Sequence, residues 1–151
     1  MSEFLSYVPV IALAVSFISA IIGILTYRRV SKKVFSKGID FNIQVEANEN
    51  KTIATIDGKG LFEKLEISGE GEGCKDSKLV IAIDNEKCIN DTFNYFLNNA
   101  PQYFKQISFT KESFTLIIDL PKIFYKNCTV SVENNSVRTI TVKGTLHFKI
   151  S

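Results

Sequence analysis

Residues 4–27 read FLSYVPVIALAVSFISAIIGILTY and contain no charged side chain. No other feature restricts the chain's possible structures as much. Coiled as a helix rising about 1.5 Å per residue, such a run is long enough to cross a hydrocarbon core of roughly 30 Å with some tilt. A cleaved signal peptide carries its positive charges before the apolar run and a small-residue cleavage site after it. Here Arg28, Arg29, Lys32, Lys33 and Lys37 follow the run, so the expectation is a retained transmembrane helix over about residues 4–27. Tyr7 and Tyr27 sit near its ends, where amphipathic rings favour the membrane interface, and Pro9 falls in the first turn, where its missing N–H does no harm.

Within that run Ala12, Ser16, Ser19, Ala20 and Gly23 recur at spacings that place them on one face. Small residues let helix backbones approach closely in lipid, where packing and hydrogen bonds drive association. The face is therefore expected to dock against another transmembrane helix, from a second copy or from a partner protein.

Charge is split unevenly along the chain. Residues 1–37 hold five basic residues against Glu3, whereas residues 38–151 hold 13 basic and 15 acidic. All the excess positive charge thus follows the apolar run. By the positive-inside rule the carboxyl-terminal part lies in the cytoplasm, and Arg28, Arg29, Lys32, Lys33 and Lys37 lie against anionic membrane lipid. A nearly neutral remainder offers no basic stripe for a phosphate backbone, which argues against nucleic acid as a partner.

Two features favour the opposite side of the membrane. Asn50, Asn90, Asn127 and Asn134 each begin an Asn-x-Ser/Thr triplet, a glycan acceptor if the domain is extracytoplasmic. In an oxidising compartment Cys74 and Cys88 would bridge the glycine-rich loop between them, leaving Cys128 over.

Beyond Gly38 the pattern changes to short runs of period two separated by Gly, Asn, Asp and Ser. Phe41, Ile43 and Val45 alternate with polar neighbours; Leu61, Leu65 and Ile67 form a face interrupted by Glu63; residues 79–83 are continuously apolar, which suits a central strand buried on both sides. Phe114, Leu116, Ile118 and Leu120 alternate up to Pro121, which is expected to end their strand. Further strands are read at Ile107 and Phe109, at Cys128 to Val132, at Ile140 and Val142, and at Leu146 to Ile150. Only residues 89–101 break this rhythm, with Phe93, Phe96, Leu97 and Ala100 at helical spacing, Asn90 or Asp91 as cap and Pro101 as stop. The segments VEANENKTI (45–53) and VENNSVRTI (132–140) echo one another, as strand-turn-strand units sharing turn chemistry do. The expected organisation is residues 1–37 as transmembrane helix and basic flank, then residues 38–151 as a mainly β domain, with α+β as the alternative. That domain is a β-sandwich-like fold of about eight short strands and one short helix.

Little in the chain suggests catalysis. His147, the single histidine, falls on the polar face of its strand, and no nucleophile-elbow sequence accompanies it. The cysteines lack metal-ligand spacing, and the loop SGEGEGCKDSK (68–78) has alternating carboxylates that suit neither a phosphate nor EF-hand spacing. No cofactor, metal or small-molecule ligand is implied. The expected function is a single-pass, non-enzymatic subunit or binding module of a membrane-associated assembly. The alternatives are a self-assembling structural envelope or virion protein, and an accessory subunit of a membrane redox or hydrolytic enzyme.

Overall fold

The computed structural model describes residues 12, 15–22, 35–99 and 101–151, without the side chains of Phe35, Ile107 and Phe109. Residues 15–22 are α-helical, as is Ala12. Among the described residues no helix is long and apolar enough to cross a membrane, and most of the expected span lies outside them.

The carboxyl-terminal unit, Phe35–Ser151, is mainly β. Its strands are β1 (Phe35–Val45), β2 (Asn50–Asp57), β3 (Gly60–Glu70), β4 (Lys78–Ile83), β5 (Glu86–Thr92), β6 (Phe104–Phe109), β7 (Ser113–Phe124), β8 (Asn127–Glu133) and β9 (Ile140–Ile150). A single 3-10 turn, Cys74–Asp76, precedes β4, and a short helix, α1 (Phe93–Asn99), follows β5. All pairings are antiparallel, in a five-stranded sheet of order β1-β9-β3-β7-β6 and a four-stranded sheet of order β2-β8-β4-β5. The strand alternation read from the sequence is what fills the space between them. Val45, Leu65, Ile67, Leu116, Ile118, Val142 and Leu146 of the larger sheet share one core with Leu79, Ile81, Cys128, Val130 and Val132 of the smaller.

Three sequence expectations are corrected. Leu61 does not share the buried face of Leu65 and Ile67; Phe62 does, at 2 % exposure. Glu63 is the reason. It is an extra residue between Phe62↔Phe148 and Lys64↔His147, and a bulge reverses which neighbours point inward. Opposite Glu63, β7 holds two residues between Asp119 and Lys122, namely Leu120 and Pro121. Pro121 therefore lies in a bulge inside β7 rather than at its end. On its other side β7 pairs with β6 only up to Ile118, so no neighbouring strand asks Pro121 for a donor. Finally, α1 is capped by Thr92, whose Oγ1 accepts from the Tyr95 N–H at 3.1 Å, not by Asn90 or Asp91.

Helix α1 plugs one side of the core. Phe93 packs on Phe114 with centroids 4.4 Å apart, and Phe96 stacks on Phe104 at 4.2 Å. The Phe114 ring in turn occupies the space a side chain at its cross-strand partner Gly69 would fill.

The sandwich has two ends. Phe35, Gly60, Phe124 and Ile150 fall together in the register at the end where β1 begins, here the root end, joined by the 58–59, 84–85 and 125–126 turns. The far end carries the links 46–49, 71–77, 110–112 and 134–139. Asn134 organises it. This side chain is 1 % exposed. Its Nδ2 donates to the carbonyls of Val45 (2.9 Å), Glu46 (3.0 Å) and Arg138 (2.7 Å), while Oδ1 accepts from the Ser136 N–H (2.9 Å) and hydroxyl (2.7 Å). The echoing segments 45–53 and 132–140 are the two sheet-to-sheet crossings that meet there, with Val45 paired to Ile140 and Asn50 to Glu133.

Removing this amide strands buried carbonyls. We expect Asn134→Ala to cost about 3 kcal/mol, read as a lowered urea midpoint, whereas Asn90→Ala, at an exposed position, stays within about 0.5 kcal/mol.

Candidate functional site

Along helical residues 15–22, at about 100° per residue, the side chains sort into two arcs. Ser16, Ser19 and Ala20, with Ala12, fall within one arc, and Val15, Phe17, Ile18, Ile21 and Ile22 cover the rest. Gly23 lies outside the described residues. The large side chains are 52–68 % exposed. Both hydroxyls are satisfied within the helix: Ser16 Oγ donates to the Ala12 carbonyl at 3.0 Å and Ser19 Oγ to that of Val15 at 2.9 Å. This is how an apolar environment accommodates serine.

Of the basic flank, Arg28, Arg29, Lys32 and Lys33 lie outside the described residues. Lys37 lies in β1, exposed and opposite Phe148. The strand begins at Phe35, three residues before the expected domain boundary.

The four sequon asparagines are not equivalent. Asn50 and Asn90 are exposed, Asn127 is half-buried with Nδ2 3.4 Å from Asn85 Oδ1, and Asn134 is buried with its amide committed to the far end. A glycan on Asn134 is incompatible with that fold.

All three cysteines are free in this structure, and the bridge that an oxidising compartment would favour between Cys74 and Cys88 is not formed. Cys74 lies at the far end before β4, its Sγ 3.5 Å from the Glu112 carbonyl. Cys88 lies on β5 between the residues paired with Ile81 and Ala82, so more than three strand residues, roughly 11 Å at 3.3 Å each, separate it from the start of β4. A disulfide requires Cα atoms within about 7 Å. Burial pushes the Cys74 thiol up, and pushes that of Cys128 to about 12.

The outer face of the five-stranded sheet carries paired charges, one pair within β3 and two between β3 and β9. Lys64 Nζ lies 2.8 Å from Glu66, Lys143 Nζ 2.8 Å from Glu70 and Lys149 Nζ 2.9 Å from Glu63. The hydrogen bonds from Lys149 and Lys64 outweigh burial and hold the Glu63 and Glu66 carboxyls below their usual range. His147 stands on this face, half-buried, with Nε2 3.8 Å from Glu66 Oε1, too long for a hydrogen bond. It borders a depression of about 320 Å³ that it shares with Leu61, Glu63, Lys64, Asp119 and Pro121. These residues supply charge and an imidazole but no hydroxyl or thiol. In the acidic loop Glu70 pairs with Lys143 and Glu72 with Arg138 at 3.0 Å. Among the described residues no three His, Cys, Asp or Glu side chains are grouped as metal ligands.

One carboxylate gathers several donors, and sequence reasoning missed it. Asp84 and Asn85, both with positive φ, form the two-residue turn between β4 and β5, the type I′ geometry that Asp and Asn tolerate. The Asp84 carboxylate accepts from the backbone N–H groups of Tyr125 (3.0 Å), Lys126 (2.6 Å) and Asn127 (3.1 Å). Burial pushes its pKa up, but the three N–H donors outweigh this and hold it below the ordinary aspartate range. The dipeptide follows the apolar run 79–83 and suits a tight turn; its long-range partners are not visible in the sequence.

Native protein should accept one equivalent of a maleimide, at half-buried Cys88, and three only after unfolding, with no bridge forming between Cys74 and Cys88 under mild oxidation. Because the Asp84 pKa is lowered on folding, its stabilisation is complete above the unfolded value of about 3.9 and disappears as pH falls through the lower folded value. Asp84→Asn keeps the turn but should lower the neutral-pH melting temperature and lose less than the parent between about pH 5 and about pH 2; parallel acid losses would contradict the assignment.

Comparison of the sequence with models of protein families gives no match, and comparison with curated proteins gives no significant one.

Proposed function

We propose that the chain is a single-pass membrane-anchored, non-enzymatic binding module or subunit of a membrane-associated protein assembly. In this reading the small-residue arc docks against another transmembrane helix and the β-sandwich engages a protein partner. The observation that carries it is the pair of arcs on residues 15–22: one small, the other large and apolar, with no charged face between them and Val15, Phe17, Ile18, Ile21 and Ile22 exposed. A helix without a polar face is stable in water only when something covers it, and lipid with a closely packed neighbour helix is the cover that suits small residues on one side and large ones on the other. The uncharged context of residues 4–27 supplies the necessary length.

A cytoplasmic sandwich accords with the order of charges. Three unbridged thiols, two of them buried, suit a reducing compartment. The burial of Asn134 removes one of the four triplets that favoured the other side.

Photo-crosslinkers placed at Ser16 or Ala20 of the full chain in native membranes should yield a defined adduct, and those at Phe17 or Ile21 should react mainly with lipid. Protease added to sealed cells should leave the sandwich intact. A single foreign adduct marks an accessory subunit, and a ladder of self-adducts marks a structural component. A chain that stays monomeric and unlinked contradicts the proposal.

A further inference from the structure

The root end of the sandwich differs in charge and polarity from the far end. Ile123 and Tyr125 are 54 % and 64 % exposed there, in a domain whose other large apolar side chains mostly fill the core. Lys59, Lys122 and Lys126 are exposed on the neighbouring turns and strand. The Lys59 ammonium lies 5.4 Å from the centre of the Tyr125 ring, so cation and ring are presented together.

The acids at this end are fewer and partly occupied. Asp84 has its carboxylate turned to backbone donors, and Glu63 is paired with Lys149. Asp57 and Glu86 are exposed, with Lys87 beside Glu86. At the far end Glu46, Glu49, Glu70, Glu72, Asp76 and Glu112 stand with Lys75, Lys111, Arg138 and Lys143, a small excess of acid, and Glu70 and Glu72 pair with Lys143 and Arg138.

Covalent reach selects what the root end meets. Strand β1 starts there at Phe35, and only residues 28–34 separate it from the apolar run ending at Tyr27. Seven residues span at most about 25 Å when fully extended. Four of them are basic, and each basic side chain near an anionic bilayer is attracted to it. A tyrosine ring and an isoleucine rimmed by lysines is the composition that partitions into a headgroup layer, with the ring among the acyl boundaries and the hydroxyl wet.

We propose that the root end is a lipid-facing surface, in which Ile123 and Tyr125 enter the headgroup layer of an anionic bilayer while Lys59, Lys122 and Lys126 pair with its phosphates. The proposal rests on the membrane-anchored reading above and adds to it a second contact. The folded domain lies on the membrane by this end and presents its far end to partners. The hydrogen bonds of the turns use backbone atoms of these lysines: the Lys126 N–H donates to Asp84, with the Lys126 charge a lesser aid to the carboxylate, and the Lys59 carbonyl accepts from Ser151.

The chain contains no tryptophan, so a single introduced one is an unambiguous reporter. Full-length Tyr125→Trp and Val137→Trp, the latter at a far-end position 88 % exposed, would be reconstituted into phosphatidylcholine vesicles with and without phosphatidylserine and with brominated acyl chains. Flotation of the vesicles reports anchoring separately. Expected is a blue-shifted, bromine-quenched emission at position 125 in phosphatidylserine vesicles. It should be lost in high salt and in the Lys59→Glu, Lys126→Glu double variant, and absent at position 137 throughout. Chains that float while position 125 remains unquenched, or while both positions are quenched alike, overturn the lipid-facing surface and leave the anchor standing. Quenching indifferent to phosphatidylserine and to charge reversal overturns the anionic pairing, and chains that fail to float overturn both readings.

Discussion

Neither sheet can exist without the other, and most of the domain's properties follow from that constraint. Six of the eight links between strands leave one sheet for the other; only the β4–β5 and β6–β7 turns stay within a sheet. Each crossing forces the backbone around an end of the core, where its polar groups lose their ladder partners and must find others. At the far end Asn134 provides them, and at the root end Asp84 does. Both are short side chains whose oxygen or amide reaches several backbone groups at once. The apolar interior supplies the driving force, but these two residues make the crossings compatible with burial.

The fold was legible where a residue's environment depends on its nearest neighbours along the strand. Alternation at Phe41 to Val45, Phe114 to Ile118 and Cys128 to Val132 marked faces that do meet in one core, and the helical spacing of Phe93 and Phe96 marked α1. It failed where a distant strand intervenes. Glu63 reads as a flaw in a pattern until β9 is seen to have one residue fewer, and Pro121 reads as a stop until β6 is seen to end short of it. Adjacency in the chain made Cys74 and Cys88 look like partners, whereas an entire strand's direction separates them. The triplet at Asn134 marks an acceptor only for an extracytoplasmic domain, and it says nothing about burial. The small-residue arc was legible because a helix face depends only on local spacing; the rim at Ile123 and Tyr125 was not, because turns far apart in sequence build it.

The outer face of the larger sheet is tiled with paired charges. Lys64 with Glu66, Lys143 with Glu70 and Lys149 with Glu63 tile the surface with alternating charge. Individually such exposed pairs contribute little to stability, yet together they make stacking of two such faces unfavourable, since each ammonium already has its carboxylate. His147 is embedded in this lattice, with Nε2 3.8 Å from Glu66 Oε1.

The position of β9 has a consequence for how the domain is made. It is the last of the nine strands among the described residues, yet it lies between β1 and β3 in the larger sheet. A ribosome working from the amino end produces β1 and β3 long before the strand that joins them. Until residues 140–150 emerge, both have an unpaired edge and an uncovered apolar face, the condition in which chains pair wrongly with one another. Folding of the sandwich is thus ordered in time, with closure of the larger sheet waiting for the strand that is made last.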